Sequence, residues 1–195
     1  MPRTWASSWR AFDPGARVRE RARPPVGGPP RVRILGLDPG SRRTGYGLID
    51  CEAGQSVHIA HGCVAPRSES VAERLRAIYE AVEALVATHR PDEIAVERVF
   101  VSRNVDSALK LGQARGAALS AVPRGTAVFE YAPRAIKMAV VGFGAADKHQ
   151  VAHMMRALLG LADAMGNDAA DALAVAVCHA HSRRLGALLA SGSSE

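Results

Sequence analysis

Apolar and polar positions along the chain divide its body into strands and helices. Arg31-Val-Arg-Ile-Leu-Gly-Leu-Asp38 is an apolar run of strand length that ends on a carboxylate. Pro39-Gly40 marks a turn, and the glycines after it imply a hairpin into a second strand near 44–51. Beyond Gly54-Gln55, a third strand near 56–65 completes an antiparallel meander. Val71, Leu75, Ile78, Tyr79, Val82, Leu85 and Val86 recur at the spacing of an amphipathic helix over 70–88, which Pro91 terminates. Asp92 to Glu97 is a short buried strand that again ends on a carboxylate, and a helix runs from Asn104 to about Val122. Thr126 to Tyr131 reads as a fifth strand, followed by a short helix from Ala132 to Val141 with Pro133 near its start. Asp147 and Gln150 form an N-cap signature for a helix over 148–160. Asn167 caps a last helix, with Ala170, Leu173, Ala174, Val177, Cys178 and His181 as its packing stripe. A meander followed by crossover helices predicts an α/β fold, a mixed five-stranded sheet with helices on both faces.

Composition adds boundaries to this pattern. The chain has 195 residues, 48% hydrophobic and 23% charged, enough apolar surface for one core but too little length for a two-lobed enzyme. Residues 1–30 hold six arginines against Asp13 and Glu20, so most of the net charge of +6 sits there, among six prolines and without periodicity. That segment reads as a disordered basic arm, or as a start assigned too far upstream; the folded domain is expected over 31–185 and a flexible tail over 186–195. The net charge alone is therefore weak support for a polyanionic partner. Cys51, Cys63 and Cys178 match no zinc spacing and suit a reducing compartment. No apolar run approaches the roughly 20 residues of a membrane span, and the start lacks a secretory core, so a cytoplasmic protein is expected.

Candidate chemistry lies in the acids that end these elements. Asp38 closes strand one, Glu97 closes strand four, and Asp168 and Asp171 stand three residues apart on one side of the last helix. Each has an ordinary alternative: Asp-Pro-Gly is a common turn, and acids suit the first turns of a helix. Glu97 is harder to dismiss, because it ends a buried strand where charge is costly. Should strands one and four be parallel neighbours, all four carboxylates converge on one edge, where they would repel without cations. Hard oxygen ligands fit Mg²⁺, with Mn²⁺ as a substitute, and two such ions roughly 4 Å apart activate water and stabilise a leaving oxygen in phosphodiester hydrolysis.

Leu37-Asp-Pro-Gly-Ser-Arg-Arg-Thr-Gly-Tyr-Gly47, Glu97-Arg-Val-Phe100, Asn104-Val-Asp-Ser-Ala-Leu-Lys-Leu-Gly-Gln-Ala-Arg-Gly116, Glu130-Tyr-Ala132, Val140-Val-Gly142 and Asp168-Ala-Ala-Asp-Ala-Leu-Ala174 resemble, in order, the RuvC family of bacterial Holliday-junction resolvases. The resemblance covers 32 to about 183, and the arm at 1–30 departs from it. It implies an RNase H-like fold, a homodimer, Mg²⁺-dependent paired nicking of four-way DNA junctions in recombination and repair, and the branch-migration proteins RuvA and RuvB as partners. It also implies that Asp38, Glu97, Asp168 and Asp171 form the metal site and that Lys137 and Lys148 lie near the scissile DNA.

Other residues carry two readings each. Lys148 sits in the first turn of its helix, where a cation opposes the dipole by roughly 0.3 to 1 kcal/mol, a cost that gripping a phosphate would explain. Arg103, Lys110 and Arg115 are candidates for backbone phosphates or for helix-surface salt bridges. Phe100 either covers the start of the next helix or, as the resemblance favours, stacks on an unpaired base. Gly112, Gly116 and Ser120 recur every four residues, a face for packing within the subunit or against a second copy. His149, His153, His179 and His181 read as surface or packing residues rather than ligands. An actin-like sugar kinase would need a second lobe, and a DNA-binding module driven by the arm has no use for four acids.

Overall fold

The computed structural model describes residues 31–52, 54–98, 104–163 and 165–192, so the arm at 1–30, Phe100 and Arg103 lie outside the described residues. Within them the chain forms β1 (Val32–Asp38), β2 (Thr44–Glu52), β3 (Gln55–Val64), α1 (Val71–His89), β4 (Glu93–Glu97), α2 (Val105–Ser120), β5 (Ala127–Tyr131), α3 (Pro133–Val141), α4 (Lys148–Leu159) and α5 (Asn167–Gly192), the order expected from the pattern. The sheet runs β3-β2-β1-β4-β5. β1 pairs antiparallel with β2 and parallel with β4, and the pairing of Leu37 with Val96 brings the carboxyl ends of β1 and β4 to one edge.

Strand alternation sorts the core into two layers. Leu35, Leu37, Tyr46, Leu48, Ile94 and Val96 face α1 and α2, whereas Ile34, Ile49 and Ala95 face α3, α4 and α5. At the far end of the sheet from Asp38, the buried carboxylate of Asp50 accepts from both Arg31 and Arg33, the latter at 2.9 Å. This pair of arginines ties the start of β1 to β2.

α5 is the central helix of the molecule. Every residue from Ala169 to Ala180 except Asp171 is buried, so it packs all round rather than along one stripe. His181, expected in that stripe, is exposed instead, with Nδ1 3.1 Å from the Ala139 carbonyl oxygen. α5 also continues to Gly192, past the boundary expected at 185. The helix can lie this deep because the sheet beneath it lacks side chains along a lane. A Cβ on Gly36 would come 2.2 Å from the Ala172 carbonyl oxygen, one on Gly45 1.9 Å from that of Asp168, and one on Gly47 2.7 Å from Leu173 Cα. Gly36 and Gly47 are direct cross-strand partners, so the lane is built by register.

Candidate active site

The lane fixes where the acids meet. Asp38 and Glu97 are the last residues of the parallel neighbours β1 and β4, half-buried at the same sheet edge. Their carboxyls share a hydrogen bond. Burial, the bond to Glu97 and the nearby charges of Glu97 and Asp171 push Asp38 up to about 8, against the pull of Lys148. Burial also raises Glu97, while the bond from Asp38 lowers it. The pair therefore holds a proton between its two carboxyls at neutral pH.

The other two acids come from the first turns of α5, seated over Gly45. Burial raises Asp171, and Lys148 Nζ, 3.5 Å from its Oδ2, opposes the rise. Asp168 is turned elsewhere. Its Oδ2 accepts from Arg43 Nε at 2.5 Å and from the Cys63 thiol at 3.7 Å. Burial and the Asp168 charge push that thiol up to about 11, so it stays neutral.

The basic residues divide in two. Lys148, largely exposed at the first position of α4, and Lys137 on α3 both act on the acids, since each lowers Glu97 and Asp171. A capping box at the start of α4 closes part of the helix end that was expected to help grip phosphate: Asp147 accepts from the Gln150 amide and the Gln150 side chain accepts from the Asp147 amide. Lys110 instead pairs with Asp106 at 2.6 Å, and Arg115 with Glu130 at 2.5 Å, the salt-bridge alternative in both cases.

Three features escaped the sequence reading. Arg43 had no signal, because its partner lies 125 residues away. The glycines after Asp38 read as hairpin residues, yet Gly45 and Gly47 also make room for α5, which lies directly against them. His179, buried, joins Tyr131 to Glu93: its Nε2 donates to Glu93 Oε2 at 2.6 Å, and its Nδ1 accepts from the Tyr131 hydroxyl at 2.7 Å. Burial holds its pKa below the usual range, which keeps this tautomer neutral. Arg183 Nε also reaches Glu93 Oε2, at 2.7 Å, pinning α5 to β4 and β5 beneath the acids.

On α2, Val105, Leu109, Gly112, Gly116 and Ser120 are all exposed, and apart from the adjoining residues and backbone of the helix itself no described atom lies within 4 Å of a Cβ placed on Gly112 or Gly116. Packing within the subunit therefore does not account for these glycines among the described residues.

Chemically the site is an oxygen-only donor set with too little positive charge. Among the described residues no three metal-binding side chains already converge on one point. Asp38 and Glu97 bond to each other, Asp168 turns to Arg43 and Asp171 to Lys148. Carboxylates held this close, one of them kept protonated, fit hard divalent cations, which would neutralise them; the neutral thiol of Cys63 offers no soft alternative.

Comparison with known proteins gives consistent matches. A family model described as crossover junction endodeoxyribonuclease RuvC matches residues 34–179. The protein of that name from Marinobacter nauticus is 56% identical over 149 residues, 76% of this chain and 85% of its own length. That from Methylococcus capsulatus is 54% identical over 154 residues, 78% of this chain and 93% of its own. Among solved structures, Thermus thermophilus RuvC in complex with Holliday junction substrate superposes with a TM-score of 0.73 at 34% identity, covering 80% of this chain and 96% of that one. The yeast mitochondrial Holliday junction resolvase Ydc2 matches with a TM-score of 0.56 at 12% identity, covering 82% and 87%, and shares the fold.

Proposed function

The chain belongs to the crossover junction endodeoxyribonuclease RuvC family, whose fold is RNase H-like, and on that footing we propose that it resolves Holliday junctions in the cytoplasm by paired, Mg²⁺-dependent nicks. The observation that carries this reading is the hydrogen bond between Asp38 and Glu97, at the ends of the neighbouring strands β1 and β4, with Asp171 of α5 near enough for its charge to act on both.

Asp38, Glu97, Asp168 and Asp171 would hold two Mg²⁺ ions, with Mn²⁺ as a substitute. When bound, such ions lower the pKa of water and stabilise the leaving oxygen of a phosphodiester. Lys148, beside Asp171 and with its ammonium in solvent, binds the scissile phosphate, and Lys137 supplies a second cation on the same approach. The His179 network holds α5 in register, so that Asp171 keeps its place opposite Glu97. Phe100, three residues beyond Glu97, stacks on an unpaired base at the junction centre. Arg103, Lys110 and Arg115 contact the DNA backbone, Lys110 and Arg115 where phosphate competes with Asp106 and Glu130.

Two nicks of like polarity call for two equivalent sites, which a twofold dimer provides. The exposed face of α2, apolar at Val105 and Leu109 and bare at Gly112 and Gly116, suits close approach of a second copy. RuvA and RuvB would deliver the junction to that dimer. The basic arm at 1–30 adds non-specific attraction to DNA.

Incubation with a synthetic four-way junction and with matched linear duplex, in Mg²⁺ and in chelator, tests the reading. Symmetric nicks in the junction alone, abolished by chelator, are expected; equal cutting of linear duplex, or cutting in chelator, would overturn it.

A further inference from the structure

The four acids are not held alike, and Asp168 stands apart. Its main chain packs directly on the sheet, since a Cβ on Gly45 would come 1.9 Å from its carbonyl oxygen. Its side chain bonds to Arg43 and to the Cys63 thiol, while its charge still reaches Asp171. Arg43 comes from the turn between β1 and β2, the segment that begins at Asp38 itself. We propose that Arg43 is a positioning residue: it holds Asp168 away from the cation site in the free protein and yields it when cations and DNA arrive, its guanidinium then passing to a backbone phosphate. The inference rests on the metal-site reading above and adds to it a competition between one side chain of this protein and the cations.

Three observations carry it. First, the contact runs through Nε of Arg43, a single corner of the planar fork, rather than through the paired nitrogens of a bidentate clamp. Secondly, the pair is open to solvent: the Arg43 side chain is 56% exposed and that of Asp168 28%. Exposed ion pairs are worth only a few-fold in equilibrium, so a divalent cation can displace this one. The contrast is Asp50, nearly fully buried between Arg31 and Arg33, a pair with no exit. Thirdly, the neutral Cys63 thiol also donates to Asp168 Oδ2, so the withdrawn position is a defined one with two donors, not an arbitrary rotamer.

The test reads metal affinity without any turnover. The metal-free chain, R43Q, D168N and the R43Q/D168N double variant are titrated with Mn²⁺ in the absence of DNA, and the free ion is followed by electron paramagnetic resonance. R43Q should bind Mn²⁺ about 3- to 5-fold more tightly than the unaltered chain, D168N should bind it more weakly, and the double variant should show no gain over D168N, because the two residues act on one term. Junction binding by R43Q should lose roughly 0.9 from its salt slope, the signature of one phosphate contact. Unchanged or weaker Mn²⁺ affinity in R43Q, or a gain that persists without Asp168, would overturn the hold-and-release role, and an unchanged salt slope would overturn the transfer to phosphate. Failure of the unaltered chain to bind Mn²⁺, or indifference to D168N, would instead remove the metal-site reading itself, a result distinguishable from the others.

Discussion

Asp38 and Glu97 share a hydrogen bond between their carboxyls, two acids holding one proton at the meeting of β1 and β4. In the folded, metal-free chain Asp38 is pushed up to about 8 by burial and by its acidic neighbours, against 3.8 when free. A group that holds its proton more tightly when folded contributes stability fully below its unfolded pKa and loses it as pH rises through the folded one. The melting temperature in chelator should therefore decline between about pH 4 and about pH 8. Asp38→Asn should flatten that decline, and saturating Mg²⁺ should raise the upper end. Thermal melts of both proteins across this range check the sign; an equal slope in Asp38→Asn would count against the shared proton.

Asp38→Asn, Glu97→Gln, Asp168→Asn and Asp171→Asn should each reduce junction nicking by about a hundredfold to a thousandfold, since an amide keeps the shape and loses the charge. Folding should persist, and junction binding should hold or tighten because charge repelling phosphate is gone. Gel assays of binding and cleavage separate the two effects. Near-normal nicking by two of the four would refute the assignment.

The same substitution should give opposite results at two glycines. Gly36→Ala drives a methyl group to 2.2 Å from the Ala172 carbonyl oxygen and should destabilise the fold by about 3 kcal/mol or more. Gly116→Ala meets open space in the subunit and should stabilise α2 by about 1 kcal/mol. If α2 forms the twofold contact, Gly116→Ala should also weaken self-association by about tenfold, roughly 1.4 kcal/mol. Denaturant melts and sedimentation at several concentrations read the two quantities separately.

Asp50→Asn leaves two guanidinium groups beside a buried amide and should cost about 3 to 5 kcal/mol, the usual consequence of breaking one side of a buried ion pair. Cleavage per folded molecule should be unaffected, because Asp50 sits at the opposite end of β1 from Asp38. Urea melts and specific activity corrected for folded fraction provide the check.

What the sequence made legible was local. Alternation in β1 to β3, the 3.6-residue recurrence in α1 and the capping pair Asp147 and Gln150 each act within a few residues, and each element formed where its pattern placed it. The acids were legible because each ends an element, a position where a carboxylate beside apolar neighbours stands out. α5 was read less well: a helix buried all round has no polar face to set its stripe, so His181 was placed inside and emerged outside. Arg43 was invisible, since nothing near it in the chain betrays a partner across the molecule. The glycines were visible as part of the hairpin, but their second role shows only when the helix above them is in place.

The depth of α5 also has a consequence for synthesis. The ribosome delivers all five strands before residue 167, so the sheet meets solvent with its glycine lane uncovered and only Asp38 and Glu97 of the acids in hand. Closing the lane requires contacts between segments more than a hundred residues apart, the slow kind of loop closure. The two acids of α5 thus arrive together with the second layer of the core. A nascent or truncated chain that ends before Asn167 lacks Asp168 and Asp171, and on the proposed metal-site reading it would carry only half of the acids needed to cut.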